Sequence, residues 1–301
     1  MTLRNAFAVT AACILAIATG CAGAGGNGST TVSSTAAPPQ TTTTSGSTAP
    51  SGANRRRPIV VVMMENHYAG NVVGRSCCAF ETRLAQQGLD FTQYYGVAYP
   101  SRPNYLAITG GSTFGQVGID DPLPTVPGDN LFAQLSRAGI SWKAWAESYP
   151  GAPGHCFLGP TAANYAMRHV APLLYSDIAN TALCNNVVAT EPTRLPSFLW
   201  VTPNMCDDDH DCPASQGDRW LAGHVPAWVR SGAEVFITFD TGNPDTTHGG
   251  GRVYAVLVGR GIHRRVITQT LSHYSTLAGL EHAFHLPLIG AARGATPIPF
   301  R

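Results

Sequence analysis

Charge is scarce in this sequence of 301 residues. Only 12% of the residues are charged, the net charge is +1, and Lys143 is the single lysine. Proteins bind nucleic acid through clustered Lys and Arg side chains. The basic trio 55–57 is better explained as solvated charge at the edge of a domain. Nucleic acid is therefore not an expected partner.

Three motifs of common enzyme classes are also missing. The sequence contains no Gly-x-Ser-x-Gly elbow, no Gly-Lys-Ser/Thr phosphate loop and no Gly-x-Gly-x-x-Gly after a strand. These absences disfavour an α/β-hydrolase esterase, a P-loop nucleotidase and a dinucleotide-dependent enzyme.

The beginning of the chain has the composition of an export signal. Arg4 precedes a mostly apolar run, 6–17, which is too short for a permanent membrane span. Small residues then precede Cys21, as in a bacterial lipoprotein cleavage box. We expect a signal peptide at residues 1–20 and a lipid anchor at Cys21 that holds the exported protein on the outer face of the cell membrane. An ordinary secreted product is the alternative.

A tether and one folded domain follow. Residues 22–54 are almost entirely Gly, Ser, Thr, Ala and Pro, a composition that buries too little apolar surface to fold. We expect a disordered tether through residue 57 and a single catalytic domain at 58–301. Its six cysteines suggest disulfides, as in other exported chains. Cys206 and Cys212, which bracket one short loop, are the best single pair.

Strands and helices alternate along the domain. Continuous apolar or β-branched runs predict strands at 58–64, 89–95, 140–145, 197–202, 234–239 and 253–258. Helices are predicted at 79–87, 130–138 and 274–285. This alternation indicates an α/β fold, a three-layer sandwich with a mostly parallel central sheet between helices.

Polar residues follow several of the predicted strands. Glu65 and Asn66 end the first strand, Asn204 follows a later one, and Asp240 ends another. Open α/β sheets bind ligands beyond the carboxyl ends of their strands. We therefore expect these residues to meet at an active site. Because carboxylate and amide oxygens suit a hard divalent cation, we expect Glu65, Asn66 and Asp240 to hold a metal of unknown identity there. A simple polar turn is an equally good explanation for the first pair.

Two further segments carry candidate chemistry. Ser101 lies between two prolines before a helix start, where amide groups favour an anion and a nearby metal would activate the hydroxyl. Alone, such a serine is usually a turn residue. The loop 203–212 contains four acids and His210 between two cysteines. Calcium binding is the alternative for this loop, and a zinc site is a weaker one.

Taken together, these segments resemble the phosphoesterase family of bacterial acid phosphatases and phospholipases C, relatives of the alkaline phosphatase superfamily. The similarity rests on six segments in family order: 61–67, 99–105, 202–212, 217–220, 236–240 and 272–281. It implies an alkaline phosphatase-like fold and hydrolysis of phosphate esters.

The resemblance also assigns roles. It matches Ser101 to the nucleophile, His210 to a histidine near the phosphate, and Glu65, Asn66, Asp240 and Thr241 to the positions of metal ligands. The chemistry of ester cleavage makes His210 the expected acid, oriented by Asp208 or Asp211. We also expect substrate contacts from Asn104, Asn204 and His248. The position of Thr241 is usually an acid in the family, so its neutral side chain removes one negative charge. A flexible loop is the simpler explanation for His248.

The sequence thus predicts an exported, metal-assisted acid phosphatase that acts on phosphomonoesters through a phosphoserine. Two alternatives remain at this point. One is a phospholipase C that cleaves phosphodiesters, and the other is a non-catalytic surface lipoprotein that binds a phosphate-bearing ligand.

Overall fold

A computed structural model describes residues 56–120, 124–159 and 161–301. The predicted signal peptide, the predicted lipid anchor at Cys21 and most of the predicted tether lie outside the described residues. Within the described part, no helix is long and apolar enough to cross a membrane.

The centre of the molecule is an eight-stranded sheet built on the first apolar run. The described residues form twelve strands in all, of which β3 with β12 and β5 with β6 make two small separate sheets. The strands are β1 (Ile59–Met64), β2 (Leu89–Phe91), β3 (Tyr94–Tyr95), β4 (Trp142–Ala146), β5 (Thr161–Ala162), β6 (Tyr165–Ala166), β7 (Val187–Val188), β8 (Phe198–Thr202), β9 (Glu234–Phe239), β10 (Ala255–Gly259), β11 (Arg265–Ile267) and β12 (Leu271–Ser272). The order in the sheet is β11-β2-β10-β9-β1-β8-β4-β7, and β10 alone pairs antiparallel with its neighbours. Every residue of β1, β8 and β9 is buried, so both faces of the sheet are covered.

Two groups of helices cover these faces. The helices are α1 (Ala79–Gln87), α2 (Ser101–Gly110), α3 (Leu131–Arg137), α4 (Ser176–Ala179), α5 (Ala214–Arg230) and α6 (His273–Phe284). Short 3₁₀ segments lie at Ala69–Asn71, Met167–His169, Ala171–Leu174, Ala182–Asn186 and Gly290–Gly294. Helix α1 packs on α5, whereas α2, α3 and α6 pack together. This arrangement confirms the predicted three-layer α/β fold with a mostly parallel sheet.

The observed boundaries of some helices and strands match the ranges predicted from the sequence, and those of others differ. The observed α1 and β9 match the predicted ranges. The predicted strand 89–95 is instead two short strands that join different sheets. The longest helix, α5, was not predicted, because it contains Pro226 and two glycines that interrupt an apolar pattern.

We expect two glycine-to-alanine substitutions in helices to have opposite effects on stability. Gly223 in α5 has no atom within 4 Å of an added Cβ, whereas a Cβ on Gly279 in α6 would overlap the backbone of Ile298. Gly223→Ala should raise the free energy of unfolding by about 0.5–1 kcal/mol. Gly279→Ala should lower it by about 1–3 kcal/mol through overpacking. Urea denaturation measures both, and equal shifts for the pair would contradict the packing of α6.

Candidate active site

Ser101 is the first residue of helix α2, immediately after Pro100. The side chain of Asn104 holds this turn, because its oxygen accepts hydrogen bonds from the amides of Val97 and Ala98. Its amide nitrogen donates to the carbonyls of Ala98 and Pro100. The sequence therefore fixes the serine on a rigid turn at a helix start. Ser101 itself is only 2% exposed.

Glu65 is the centre of the polar cluster around this serine. It follows β1 and is fully buried. The hydroxyl of Ser101 donates to its Oε2 at 2.9 Å, and Asn66 Nδ2 donates to the same oxygen at 3.1 Å. The hydroxyl of Tyr105, one turn along α2, donates to Oε1. Three side chains, one from the end of β1 and two from α2, thus share one carboxylate.

The predicted second half of the metal site also reaches this point. Asp240, at the end of β9, accepts a hydrogen bond from the backbone N–H of Asn66 through Oδ1 at 2.8 Å. Its Oδ2 is buried and has no partner. Thr241 donates its hydroxyl proton to Asn66 Oδ1 at 3.0 Å. The structure therefore brings together Glu65, Asn66 and Asp240, three of the four residues that the strand-end pattern predicted to meet, with Thr241 beside them.

Two histidines lie on the other side of Glu65. The buried His169 has Nε2 3.5 Å from Glu65 Oε2 and Nδ1 3.5 Å from Asp208 Oδ2. Its ring stacks on Tyr105 at 5.4 Å between centroids. Glu65, His169 and His210 each offer a ligand atom, and these atoms lie within 4.8 Å of one another. This donor set could hold a divalent cation.

His210 is held by its own loop. Asp211 Oδ1 lies 2.7 Å from Nδ1 of the His210 ring, whereas Asp208 accepts from the His210 backbone amide at 2.8 Å. Asp211 is therefore the acid that orients the ring. The loop is closed by a Cys206–Cys212 disulfide, as predicted, and a second disulfide joins Cys156 and Cys184.

An arginine that the sequence did not single out also faces His210. Arg168 Nη2 lies 3.4 Å from His210 Nε2, and its Nε lies 3.0 Å from Asp120 Oδ2. The other oxygen of Asp120 accepts from the backbone amide of Arg102, next to Ser101. One cationic side chain therefore stands between His210 and the start of α2.

Burial dominates the electrostatics of the cluster. The pKa of Glu65 lies well above its ordinary value, first because of desolvation and then because Asp240 and Asp208 add negative charge nearby. Burial, reinforced by Arg168, lowers the pKa of His169 to about 3, so this ring is neutral near pH 7. Three buried acids with a neutral histidine make an environment that a bound cation would stabilise.

Three predicted substrate contacts have other partners in the structure. Asn104 is fully buried and uses its hydrogen bonds on the Ser101 turn, so it supports the serine instead of facing solvent. Asn204 bonds Asp207 and the backbone of its own loop. His248 is exposed and packs against Tyr95. The structure supports the simpler loop explanation for His248.

His169 and Arg168 are the residues that the sequence pattern missed. They lie on a 3₁₀ segment of three residues, Met167–His169. Neither a strand end nor a periodic apolar pattern marks so short an element. The adjacent basic pair was the one available signal.

Comparison with known proteins identifies the family. A model described as "Phosphoesterase family" matches residues 75–287, which include Ser101, His169, His210 and Asp240. The chain belongs to the phosphoesterase family. This membership, with acid phosphatases among its relatives, makes it a hydrolase of phosphoric esters. The match begins after Glu65 and Asn66.

Curated relatives of this phosphoesterase are phosphatases. The phosphatidylinositol-3-phosphatase of Mycobacterium tuberculosis is 30% identical over 243 residues, 78% of this chain and 79% of that protein. A probable acid phosphatase of Kluyveromyces lactis is 30% identical over 238 residues, 70% of this chain and 55% of its own. The phosphate-repressible acid phosphatase of Penicillium chrysogenum is 28% identical over 229 residues. The chain spans about half the length of these two fungal relatives.

Solved structures with the same fold are more distant. The phosphonate monoester hydrolase from Silicibacter pomeroyi has a TM-score of 0.50 and 11% identity, with 81% of this chain and 78% of that chain covered. The PsFucS1 sulfatase from Pseudoalteromonas sp. has a TM-score of 0.50 and 13% identity, with 78% and 70% covered. These likenesses concern the fold alone.

We expect Asn104→Ala to destabilise the folded state, because it leaves buried backbone groups of the Ser101 turn without partners. The free energy of unfolding should fall by about 2–4 kcal/mol. Asn71→Ala, at an exposed asparagine with no side-chain hydrogen bond among those described, is the matched control. It should change stability by less than about 0.5 kcal/mol. A mild effect at Asn104 would show that the turn does not depend on this side chain.

Proposed function

We propose that this phosphoesterase is an acid phosphatase of phosphomonoesters that uses Ser101 as its nucleophile and a divalent cation as its cofactor. The observation that carries the proposal is the 2.9 Å hydrogen bond from Ser101 to the buried Glu65, at the point where Asp240 and His169 converge. Relatives named as acid phosphatases and as a phosphatidylinositol-3-phosphatase favour monoesters over the diesters of a phospholipase C.

Two buried atoms without hydrogen-bond partners support a cation site beside Glu65. Asp240 Oδ2 and His169 Nε2 are buried without hydrogen-bond partners, and Glu65 Oε2 lies 3.5 Å from His169 Nε2. We propose Glu65, Asp240 and Asn66 as ligands with His169 as the nitrogen donor. Both nitrogens of His210 already face partners, Asp211 and Arg168, which argues against His210 as a ligand. A bound cation would neutralise charge on the phosphate.

The residues of the chain perform the remaining steps. Glu65 accepts the hydrogen bond of Ser101 and helps remove the hydroxyl proton as oxygen attacks phosphorus. Arg168 presents positive charge to the phosphate oxygens. His210, whose Nδ1 is held by Asp211, can carry a proton on Nε2 and pass it to the departing alcohol only when Arg168 has turned from Nε2 to the phosphate. Water then hydrolyses the phosphoserine.

Access to Ser101 comes from the side where the cluster meets solvent. Ser101 is nearly covered, but the His210 side chain is 27% exposed and Arg168 and Asp120 are partly exposed. A phosphate group entering there meets Arg168 and His210 before the serine.

Export completes the proposal. The two disulfides are typical of an oxidising compartment. We propose that residues 1–20 direct export, that lipidated Cys21 anchors the enzyme, and that 21–57 tether the domain 58–301. A non-catalytic binding lipoprotein is less consistent with a serine that already bonds a buried carboxylate.

We expect Ser101→Ala to abolish turnover while leaving the fold intact. An aryl phosphate assay at acidic pH should show a loss of at least about 10³-fold in kcat, as for other nucleophile deletions. Ser231→Ala, at the end of α5 where the hydroxyl bonds only its own helix, is the matched control and should retain activity. Acid quenching should trap phosphate on Ser101 in the wild type. Retained turnover in Ser101→Ala would refute the nucleophile, and faster turnover of a choline phosphodiester would favour the phospholipase.

The metal content of variants should show whether His169 or His210 is the nitrogen ligand of the cation. After chelation and reloading, His169→Ala and Asp240→Asn should each hold less metal than wild type, by mass spectrometry of the metal. His210→Ala should keep the wild-type content and lose kcat, because it acts on the leaving group. His224→Ala, whose ring lies against Glu191 and tryptophans, is the control. Equal metal loss in His210→Ala and His169→Ala would instead make His210 a ligand.

A further inference from the structure

A group of exposed arginines lies at the edge of the sheet opposite the candidate active site. β1 and β9 begin at this edge and β10 ends there, so the segments that precede or follow these strands meet. Exposed arginines are carried by these segments and by the end of α5. We name them the arginine face: Arg57, Arg230, Arg260, Arg264, Arg265 and Arg301. None belongs to the proposed catalytic machinery.

Backbone contacts fix the arginine face. Arg57 Nη1 donates a hydrogen bond to the carbonyl of Arg260 at 2.7 Å, in the turn after β10. Arg301 Nη1 donates to the carbonyl of Gly261 in the same turn at 3.0 Å. The backbone amide of Arg301 donates to Oε2 of Glu234, the first residue of β9, at 2.9 Å. These arginines are therefore held on the rigid edge of the sheet.

Acids balance only part of this positive charge. Glu234 is fully buried, and its Oε1 lies 3.8 Å from Arg57 Nη1. Burial raises the pKa of Asp90, whereas the charge of the nearby Arg264 lowers it. Among the described residues, the following arginines of the face form no ion pair: Arg230, Arg260, Arg264 and Arg265. The net charge of the whole chain is only +1, so this edge concentrates positive charge.

An apolar groove opens beside the arginine face, between α1, the end of α5 and the turn after β10. Its volume is about 500 Å³, and its apolar walls include Phe80, Leu84, Val225, Val229 and Ile262. Arg83 and Arg230 also line it, and no acid of the described residues does. On β11, Val266 follows Arg265 and is 48% exposed. Arginines beside exposed apolar surface are typical of a protein face that lies on an anionic membrane.

The preceding part of the chain joins the domain at the same edge. Arg56, the first described residue, donates from Nη1 to the carbonyl of Ala283, near the end of α6. The proposed tether, residues 21–57, therefore connects the arginine face, and not the candidate active site, to the proposed lipid anchor at Cys21.

We propose that the arginine face and its groove dock on anionic phospholipids of the membrane that carries the chain. Guanidinium groups bind phosphate oxygens with two parallel hydrogen bonds, which suits phospholipid headgroups. The groove would take the apolar part of a lipid that adjoins its headgroup. A nucleic acid would satisfy the arginines, but it has no apolar part for the groove.

Docking at this face would turn the candidate active site away from the membrane. Glu65 follows the far end of β1, and a strand of six residues is about 20 Å long. The substrates would then be phosphate esters in solution and not lipids of the docked membrane. This consequence for the substrate rests on the proposed function, whereas the docking surface does not.

Vesicle sedimentation of the full chain tests the docking surface. A Cys21→Ser background removes the acyl anchor, so lipidation cannot cause the binding. We expect binding to vesicles of phosphatidylcholine and phosphatidylglycerol in equal parts, and much weaker binding to phosphatidylcholine alone or at high salt. Arg230→Glu combined with Arg260→Glu should weaken the affinity for the mixed vesicles by at least about tenfold.

A second double variant is the matched control. Arg75→Glu combined with Arg219→Glu changes the net charge equally, at exposed arginines before α1 and near the start of α5. It should bind the mixed vesicles within about twofold of the parent chain. Equal losses in the two double variants would overturn the proposal, because binding would then follow net charge alone. Equal binding to neutral vesicles, or tighter binding to duplex DNA than to mixed vesicles, would also overturn it.

Turnover on the same vesicles tests the orientation. Bound and free protein should hydrolyse an aryl phosphate in solution equally fast, because the candidate active site stays open. Phosphatidic acid placed in the vesicles should be hydrolysed more slowly than its soluble short-chain form, and the reverse order would contradict the orientation. Absence of any turnover would count against the proposed function, while sedimentation would still decide the docking surface.

Discussion

The burial of one carboxylate organises this molecule. Glu65 is fully enclosed at the end of β1, yet it has two more acids, Asp208 and Asp240, close enough to raise its pKa. Such an arrangement is costly unless donors and a positive charge compensate it. Ser101, Tyr105 and Asn66 supply the donors. The proposed cation would supply the compensating positive charge, and Ser101, the proposed nucleophile, donates its hydroxyl proton to the same carboxylate.

The central sheet holds the buried Glu65 carboxylate in place. β1 lies between β8 and β9 with both faces buried, so its end is fixed in three dimensions. β9 delivers Asp240 beside Asn66, and β8 leads into the loop that carries Asp208 and His210. Three adjacent parallel strands therefore place their following residues at one edge, as α/β sheets generally do.

That rule is why the sequence predicted much of the site. Glu65, Asn66 and Asp240 follow strongly apolar runs, so their convergence followed from the strand pattern, and the observed structure has it. His169 could not be found in this way, because a three-residue 3₁₀ segment has no periodicity. Helix α5 was hidden for a different reason. Its glycines and Pro226 are tolerated because tertiary packing on α1 and β9 outweighs local propensity.

Consecutive acids of the loop 203–212 contact different parts of the molecule. Asp208 turns toward His169, while Asp209 turns toward Gly217 and α5. The Cys206–Cys212 disulfide closes the loop and restricts its conformations. Thr241 also limits the negative charge at this point. Its hydroxyl donates to Asn66 Oδ1, whereas an acid at the same position would repel Glu65 and Asp240. The neutral Thr241 side chain adds no further negative charge beside Glu65 and Asp240. A bound cation would therefore have fewer carboxylates to compensate, and it would favour the ionised form of Glu65 beside Ser101.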